Sequence, residues 1–345
     1  MIDNMGQPSS PFTSRQSRVH LLAWLCVPVL LLAAVVVADI LAAHEPPDST
    51  ISAQFGPIAE QGPITPIPPP PAVDPRKRAL GERLFEDVRL SAKGDFACST
   101  CHDLRTNGAG GRPAKHDNPA TDSQSAEPSL DTLSVFNSSL SFRLGWEGGF
   151  RTLAAQAEAS LENPDSMATS ATALASKLAA DPDFTGQFIA AYGHGPDRDS
   201  ILDALVTFER TLVTPDSRFD RLLGGDAAAL STDEREGYRL FKSFGCSSCH
   251  QGANIGGNLF QRQGVFRPLV RTGPKVVRVP SLRNVAVTAP YFHDGSAATL
   301  EDAVIRMAAA QLDRTLTDQQ VSLLVAFLKT LTGNYRGSPV TAAAP

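Results

Sequence analysis

Two pentapeptides carry most of the chemistry in this sequence, Cys98-Ser-Thr-Cys101-His102 and Cys246-Ser-Ser-Cys249-His250. Cys-x-x-Cys-His is the attachment pattern of c-type haem. Its two thiols form thioethers with the haem vinyl groups, and the histidine that follows is held under the iron. Other chemistries leave more unexplained. A single zinc site using all four cysteines of the two pairs gives neither histidine a role, and a thioredoxin-like dithiol expects a βαβ context that is absent. A disulfide inside each pair again makes both histidines accidents. Two covalently bound haems c, with His102 and His250 as proximal iron ligands, use all six residues.

The elements that position these motifs repeat. Gly81-Glu-Arg-Leu-Phe85 precedes the first motif and Gly237-Tyr-Arg-Leu-Phe241 the second. Downstream, Ser134-Val-Phe-Asn137 leads to Trp146-Glu-Gly and then Thr152-Leu153, while Ser281-Leu-Arg-Asn284 leads at the same spacing to His293-Asp-Gly and then Thr299-Leu300. The match defines two related domains, 72–224 and 225–336, followed by a tail, 337–345. Capping boxes at Ser231/Glu234 and Thr317/Gln320, and a Thr299 cap before Leu300, Val304 and Met307, predict helices. Residues 169–192 and 198–213, rich in Ala and Leu, read as helical too. Strand signals are short and scattered. The expected fold is mainly α, two cytochrome c-like haem domains related by duplication.

The sixth iron positions follow by subtraction. Of four methionines, Met1 and Met5 lie at the extreme N-terminus, leaving Met167 and Met307. Met307 sits on a capped helix well after His250, as a sixth ligand or as helical core. The matching place in the first domain is Ser160, so the first haem has no such methionine. Its sixth position is open, or filled by His116 from the polar loop 103–130, where His116 otherwise reads as a surface histidine.

Ahead of the duplicated unit, Leu21 to Ala38 is an unbroken apolar run, as a helix about 27 Å long at ~1.5 Å per residue and close to a bilayer core. Arg15 and Arg18 precede it and Asp39, Glu45 and Asp48 follow, which puts residues 1–20 in the cytoplasm and everything beyond a 21–41 transmembrane helix or signal anchor outside it. The alternative is a signal peptide cut near Val36-Val37-Ala38. Both place the globular part in the periplasm, anchored to the inner membrane or released from it. Cys26 reads as a buried residue of that helix. Residues 42–71 form a proline-rich linker with Pro68 to Pro71 consecutive, read as a semi-rigid polyproline II spacer rather than a ligand for a recognition domain. The net charge of −5 over 345 residues excludes a polybasic nucleic-acid binder, and 42% hydrophobic residues suffice for real cores.

From about Ala79 to Gly333 the chain resembles the bacterial di-haem cytochrome c peroxidases and their MauG-type relatives. The likeness rests on Val279-Pro-Ser-Leu-Arg-Asn-Val-Ala-Val-Thr-Ala-Pro-Tyr-Phe-His-Asp-Gly295, with Phe208-Glu-Arg-Thr-Leu212, Asp216-Ser-Arg-Phe-Asp220 and Gly256-Gly257. It implies a high-potential, electron-accepting haem on His250 and Met307, a peroxide-reacting haem on His102, and Trp146 between them. Gln156 matches the family's distal glutamine. An inter-domain calcium would be held by Asp131, where the family has asparagine, and by the carbonyls of Thr288 and Pro290. The implied activity is reduction of hydrogen peroxide to water with electrons from a small donor protein, a cytochrome c or cupredoxin, or from the quinol side of the respiratory chain, in an enzyme that can form a homodimer.

The departures are equally specific. Ser166 stands where the family has its acid-base glutamate, and a serine moves protons poorly at neutral pH. Asp165 and Glu162 are either its replacements or solvated loop acids. Ala159-Ser160 replaces a Gly-Pro, and loop 103–130 lacks the distal-histidine segment. Two rival functions therefore stand beside the peroxidase: MauG-like oxidation of a partner protein's side chain, and a non-catalytic haem electron carrier or redox sensor.

Overall fold

The helices begin where side chains can satisfy their first free N–H groups. In the computed structural model, which describes residues 62–110, 131–270 and 274–343, Asp74 caps α1 (Pro75–Glu86) with Pro75 at its first position. The first haem motif forms the single turn α2 (Cys98–Cys101). Thr152 caps α3 (Leu153–Glu162), Ser170 caps α4 (Ala171–Ala179), and Asp181 followed by Pro182 starts α5 (Pro182–Tyr192). That Asp-Pro pair divides the 169–192 segment into two helices. Asp197 caps α6 (Arg198–Glu209), which ends short of 213. Then come α7 (Arg218–Leu223), α8 (Thr232–Ser243), α9 (Leu300–Leu312) and α10 (Asp318–Lys329), capped by Ser217, Ser231, Thr299 and Thr317. The capping boxes expected at Ser231/Glu234 and Thr317/Gln320 are both formed. Strand is confined, among the described residues, to two antiparallel pairs, β1 (Phe260–Arg262) with β2 (Val276–Arg278) and β3 (Asn334–Tyr335) with β4 (Ser338–Pro339).

The duplication is visible in how the helices touch. In the first half α1 packs on α6, and in the second α8 packs on α10. Each contact is closed by a glycine: a Cβ at Gly81 would lie 1.9 Å from the Ala204 carbonyl oxygen, and one at Gly237 would lie 2.0 Å from that of Leu323. Only a residue without a side chain lets the backbones approach so closely. Each half has its own apolar core, one around Leu84, Phe85, Phe184, Phe188 and Phe208, the other around Phe219, Phe241, Phe327 and Leu331.

Between the halves lies a buried polar junction. Asn137 and Asn284 occupy equivalent positions and both adopt the left-handed conformation, φ 60° and 61°, which asparagine tolerates better than most residues. The Nδ2 group of each donates to the same hydroxyl, Thr214 Oγ1, at 2.8 Å and 3.0 Å. Their side-chain oxygens accept from the backbone N–H of Thr214 and of Gly333, which fixes the orientation of both amides.

The described residues within Ala59–Pro345 belong to one compact unit, and this revises the reading of the linker. The end of the proline-rich linker is no free spacer: Ile64 and Ile67 are buried, the Ile67 N–H donates to Asp220, and the Thr65 carbonyl accepts from Arg283. Polyproline-like backbone makes no internal hydrogen bonds, so its polar groups are available to a neighbouring surface. Arg283 and Asp220 themselves form a buried ion pair at 2.8 Å. The tail also folds back, since β4 lies within 337–345 and Val340 is buried in the first core. Residues 1–20, the apolar segment 21–41 and linker residues 42–61 lie outside the described residues. Among those described, no helix is long and apolar enough to cross a membrane.

Thr214→Val keeps the shape at the junction and strands two buried N–H donors. At about 1–3 kcal/mol for each unsatisfied group, it is expected to cost roughly 2–6 kcal/mol of unfolding free energy, and denaturant unfolding of the holoprotein measures it.

Candidate functional site: a shared two-haem cavity

Both Cys-x-x-Cys-His motifs close a turn of backbone, with the His102 N–H on the Cys98 carbonyl at 2.9 Å and the His250 N–H on the Cys246 carbonyl at 3.0 Å. Each histidine is then oriented by a second carbonyl. His102 Nδ1 lies 2.9 Å from Gly108 O, and His250 Nδ1 lies 3.2 Å from Ile255 O. A carbonyl only accepts, so in each ring Nδ1 carries the proton and Nε2 keeps a bare lone pair, the form that binds a metal. Burial holds both rings below the ordinary histidine range, His250 at about 4, so both are neutral near pH 7. The four cysteines make no disulfide. Burial pushes the Cys98 thiol up to about 12 and Cys246 up to about 11.

His102 and His250 open onto one continuous cavity of about 1120 Å³. That exceeds the ~300–1,000 Å³ of a pocket for one small ligand. The wall is largely apolar, from Val135, Phe136, Phe241, Leu300 and Leu324 among others. An apolar cleft onto which two oriented histidines open, each next in sequence to a cysteine pair, fits two porphyrins. Iron held there would supply peroxide binding and one-electron chemistry.

Trp146 stands in this wall. Its indole N–H donates to the Asp131 carbonyl at 2.8 Å, and its ring meets His293 edge-on with centroids 6.1 Å apart. Trp146 and His293 are equivalent positions of the duplication, so the two halves meet through them. Backbone hydrogen bonds from Arg278 to Trp146 and from Asp131 to His293 brace the contact. Met307, on α9, lines the same cavity as His250, and Gln156 lines it from α3. Gln156 donates to Ser160 at 3.0 Å, the residue in the place matching Met307. Asp131 and Pro290 pack over one point: a Cβ at Gly295 would lie 2.7 Å from Asp131 Oδ2 and 3.1 Å from the Pro290 ring. Thr288 also reaches the cavity wall. Among the described residues no three His, Cys, Asp or Glu side chains gather to hold a metal ion.

Other residues fall elsewhere. His116 lies outside the described residues. Ser166, Asp165 and Glu162 are exposed and are absent from the wall, which Asn163 reaches from the same loop. Met167 is buried in the first core. Arg278 and Glu209, charged groups in the wall, escaped the sequence reading. Arg278 is buried, with its guanidinium donating to Gly145 O. Glu209 is 9% exposed, its Oε2 has no hydrogen-bond partner, and burial pushes its carboxyl up to about 8. Its signal was the duplication itself, which puts a leucine at the matching place.

Two haem-attachment turns opening on one cavity define a two-haem c-type cytochrome. Residues 75–228 match the family model of the di-haem cytochrome c peroxidases, and residues 234–332 match that of cytochrome c. The chain is 38% identical over 299 residues to the cytochrome c551 peroxidase of Nitrosomonas europaea, covering 82% of this chain and 87% of that one. It is 31% identical over 262 residues to the methylamine utilization protein MauG of Methylorubrum extorquens, covering 68% and 70%. Among solved structures it is similar to a MauG-like protein associated with microbial copper homeostasis, with a TM-score of 0.66 and 28% identity over 77% of this chain and 93% of that one. The chain belongs to the di-haem cytochrome c peroxidase family.

The attachment assignment has a direct test. Replacing Cys246 and Cys249 together by alanine should leave one covalent haem per chain, and the same change at Cys98 and Cys101 should do likewise. Intact mass and a haem stain on denaturing gels read the result, and two haems retained in either variant would contradict it.

Proposed function

We propose that this protein reduces hydrogen peroxide to water, H2O2 + 2 e⁻ + 2 H⁺ → 2 H2O, at the haem carried by His102, with electrons entering from a small donor protein at the haem carried by His250. The observation that carries the reading is the single cavity onto which both histidines open, with Trp146 in its wall. Haem iron would supply peroxide binding and store the electrons; the residues of the chain set which haem does which.

Met307 in the cavity wall supports thioether ligation opposite His250, which raises the potential of that iron. Ser160 at the matching place supports a sixth position left without methionine at the His102 haem. Gln156, tied to Ser160, presents an amide beside it that can orient bound peroxide. Trp146, held by the Asp131 carbonyl, is a fixed aromatic bridge for electron transfer between the halves. Asp131 with the carbonyls of Thr288 and Pro290 is a candidate calcium site at the same junction. A cytochrome c, a cupredoxin or the quinol side of a respiratory chain fits as donor, and export to the periplasm, by the 21–41 segment as anchor or cleaved signal, puts the protein where such donors and c-type haem are found.

A second reading is favoured by the exposure of Ser166 and its neighbours: with no loop acid at the peroxide site, the haems would act as an electron carrier or sensor, or oxidise a partner protein as MauG-type relatives do. Turnover separates these. The holoprotein should oxidise a reduced small cytochrome c only when peroxide is added, whereas two low-spin haems without peroxide-dependent oxidation would overturn the peroxidase reading. Met307→Ala should lower the midpoint potential of one haem in a redox titration; an unchanged titration would remove Met307 as its ligand.

A further inference from the structure

Glu209 ends α6 inside Phe208-Glu-Arg-Thr-Leu212, and nothing in the peroxidase reading uses it. Its carboxyl is 9% exposed, Oε2 makes no hydrogen bond, and the side chain lines the haem cavity. An unpartnered buried carboxyl is costly, so packing alone does not account for it.

The duplication supplies an internal control. Gly81 meets Ala204 and Phe208 across the α1–α6 contact, and Gly237 meets Leu323 and Phe327 across the α8–α10 contact. In register, Glu209 therefore matches Leu328, which is also buried and also lines the cavity. Where the second half fills this wall position with an apolar side chain, the first half places an acid.

Among the described residues of the helices packed around it, no counter-charge pairs with it. α6 packs against α1, α3 and α4. On α1, Lys77, Arg78 and Arg83 pair with Asp203, Glu82 and Asp183, Glu82 also pairs with Arg336, and Arg76 donates to the Ala190 carbonyl; Glu86 is exposed. On α3, Glu158 pairs with Arg198 and Glu162 is exposed. On α4, Lys177 donates to the carbonyls of Arg89 and Ser91. Arg210, the next residue, is exposed. Among the described residues the Cys98 thiol, raised chiefly by burial, is also raised by the charge of Glu209, and it becomes an uncharged thioether sulfur once haem is attached. Glu209 thus lines the cavity near Cys98, one of the two attachment residues of the first haem.

We propose that Glu209 is the redox-linked proton acceptor of the N-terminal haem: when an external one-electron donor reduces that haem, the Glu209 carboxylate takes one proton from solvent, and when the haem is reoxidised it releases it. The electron adds a negative charge to the cavity and the proton cancels it, so charge in the buried site is unchanged. With the carboxyl already pushed up to about 8 by burial, reduction raises it further, and the coupling falls at neutral to alkaline pH. The proposal rests on the two-haem reading and not on peroxide as substrate.

The test is potentiometric titration of both haems in the holoprotein from pH 6 to pH 10. In the unmodified protein the midpoint of one haem should fall with rising pH, towards a tenfold change in its reduction constant per pH unit, ~59 mV for one electron, and the other should stay flatter. Glu209→Gln, which mimics the protonated acid, should abolish that slope and hold the haem at its low-pH midpoint, and Glu209→Leu, the residue of the second half, should do the same while keeping both haems attached. A slope that survives in both variants would assign the proton to the haem propionates and overturn the proposal, as would a flat profile in the unmodified protein. Peroxide turnover enters neither outcome, so failure here is distinct from failure of the peroxidase reading.

Discussion

Thr214 joins the two halves through one hydroxyl. An oxygen of this type has two lone pairs and one proton to give, and here both lone pairs are taken by amide groups from equivalent asparagines, one from each copy of the duplicated unit. Each asparagine begins a short turn in the left-handed conformation, and the segments that follow lead to Trp146 and His293. Because Thr214 is buried to 1% exposure, water cannot replace either bond cheaply. The two loops are thereby tied to a common point, and the cavity between the motifs takes its shape from that tie. A pair of independent cytochrome domains on a flexible hinge would have no such requirement.

The same logic governs the other buried polar groups. Asp220 accepts from Arg283, Ser217 and Ile67, so the linker end, the second core and α7 are fastened by one satisfied ion pair. Such a pair contributes little net stability against an apolar substitute but makes loss of either partner expensive. Against that background Glu209 stands out in the cavity wall. Deviations from full satisfaction gather at functional sites, and this one lies in the cavity wall, in the half where Ser160 stands at the place matching Met307.

Much of this was legible in the residues themselves. The Cys-x-x-Cys-His pairs, the duplication and the capping boxes follow from spacing and cap chemistry, which are local; Trp146 and Gln156 were named by the family resemblance and Met307 by subtraction, and all three line the cavity. What was not legible depends on contacts distant in sequence. Residues 62–71 read as a spacer because proline content reports backbone shape and says nothing about where Ile64 and Ile67 are buried. The bounds of the tail, 337–345, said nothing of the burial of Val340 in the first core. Asp165 and Glu162 read either as substitutes for a missing acid or as solvated acids, and both are exposed, Glu162 at the end of α3 and Asp165 in the turn where its N–H donates to the Asn163 side chain. Glu209 was overlooked because an acid at a helix end usually means exposure, although the leucine at the matching place of the duplication, Leu328, marks the position as buried.

The central claim is that two haems in one cavity act together on a two-electron oxidant. The measurement that tests it most directly is an anaerobic titration of the fully reduced holoprotein with hydrogen peroxide, followed by visible absorption. One molecule of peroxide is expected to reoxidise both haems of a chain, with the end point at a single equivalent. An end point that leaves one haem reduced, or no reoxidation beyond that of a simple mono-haem carrier, would contradict it.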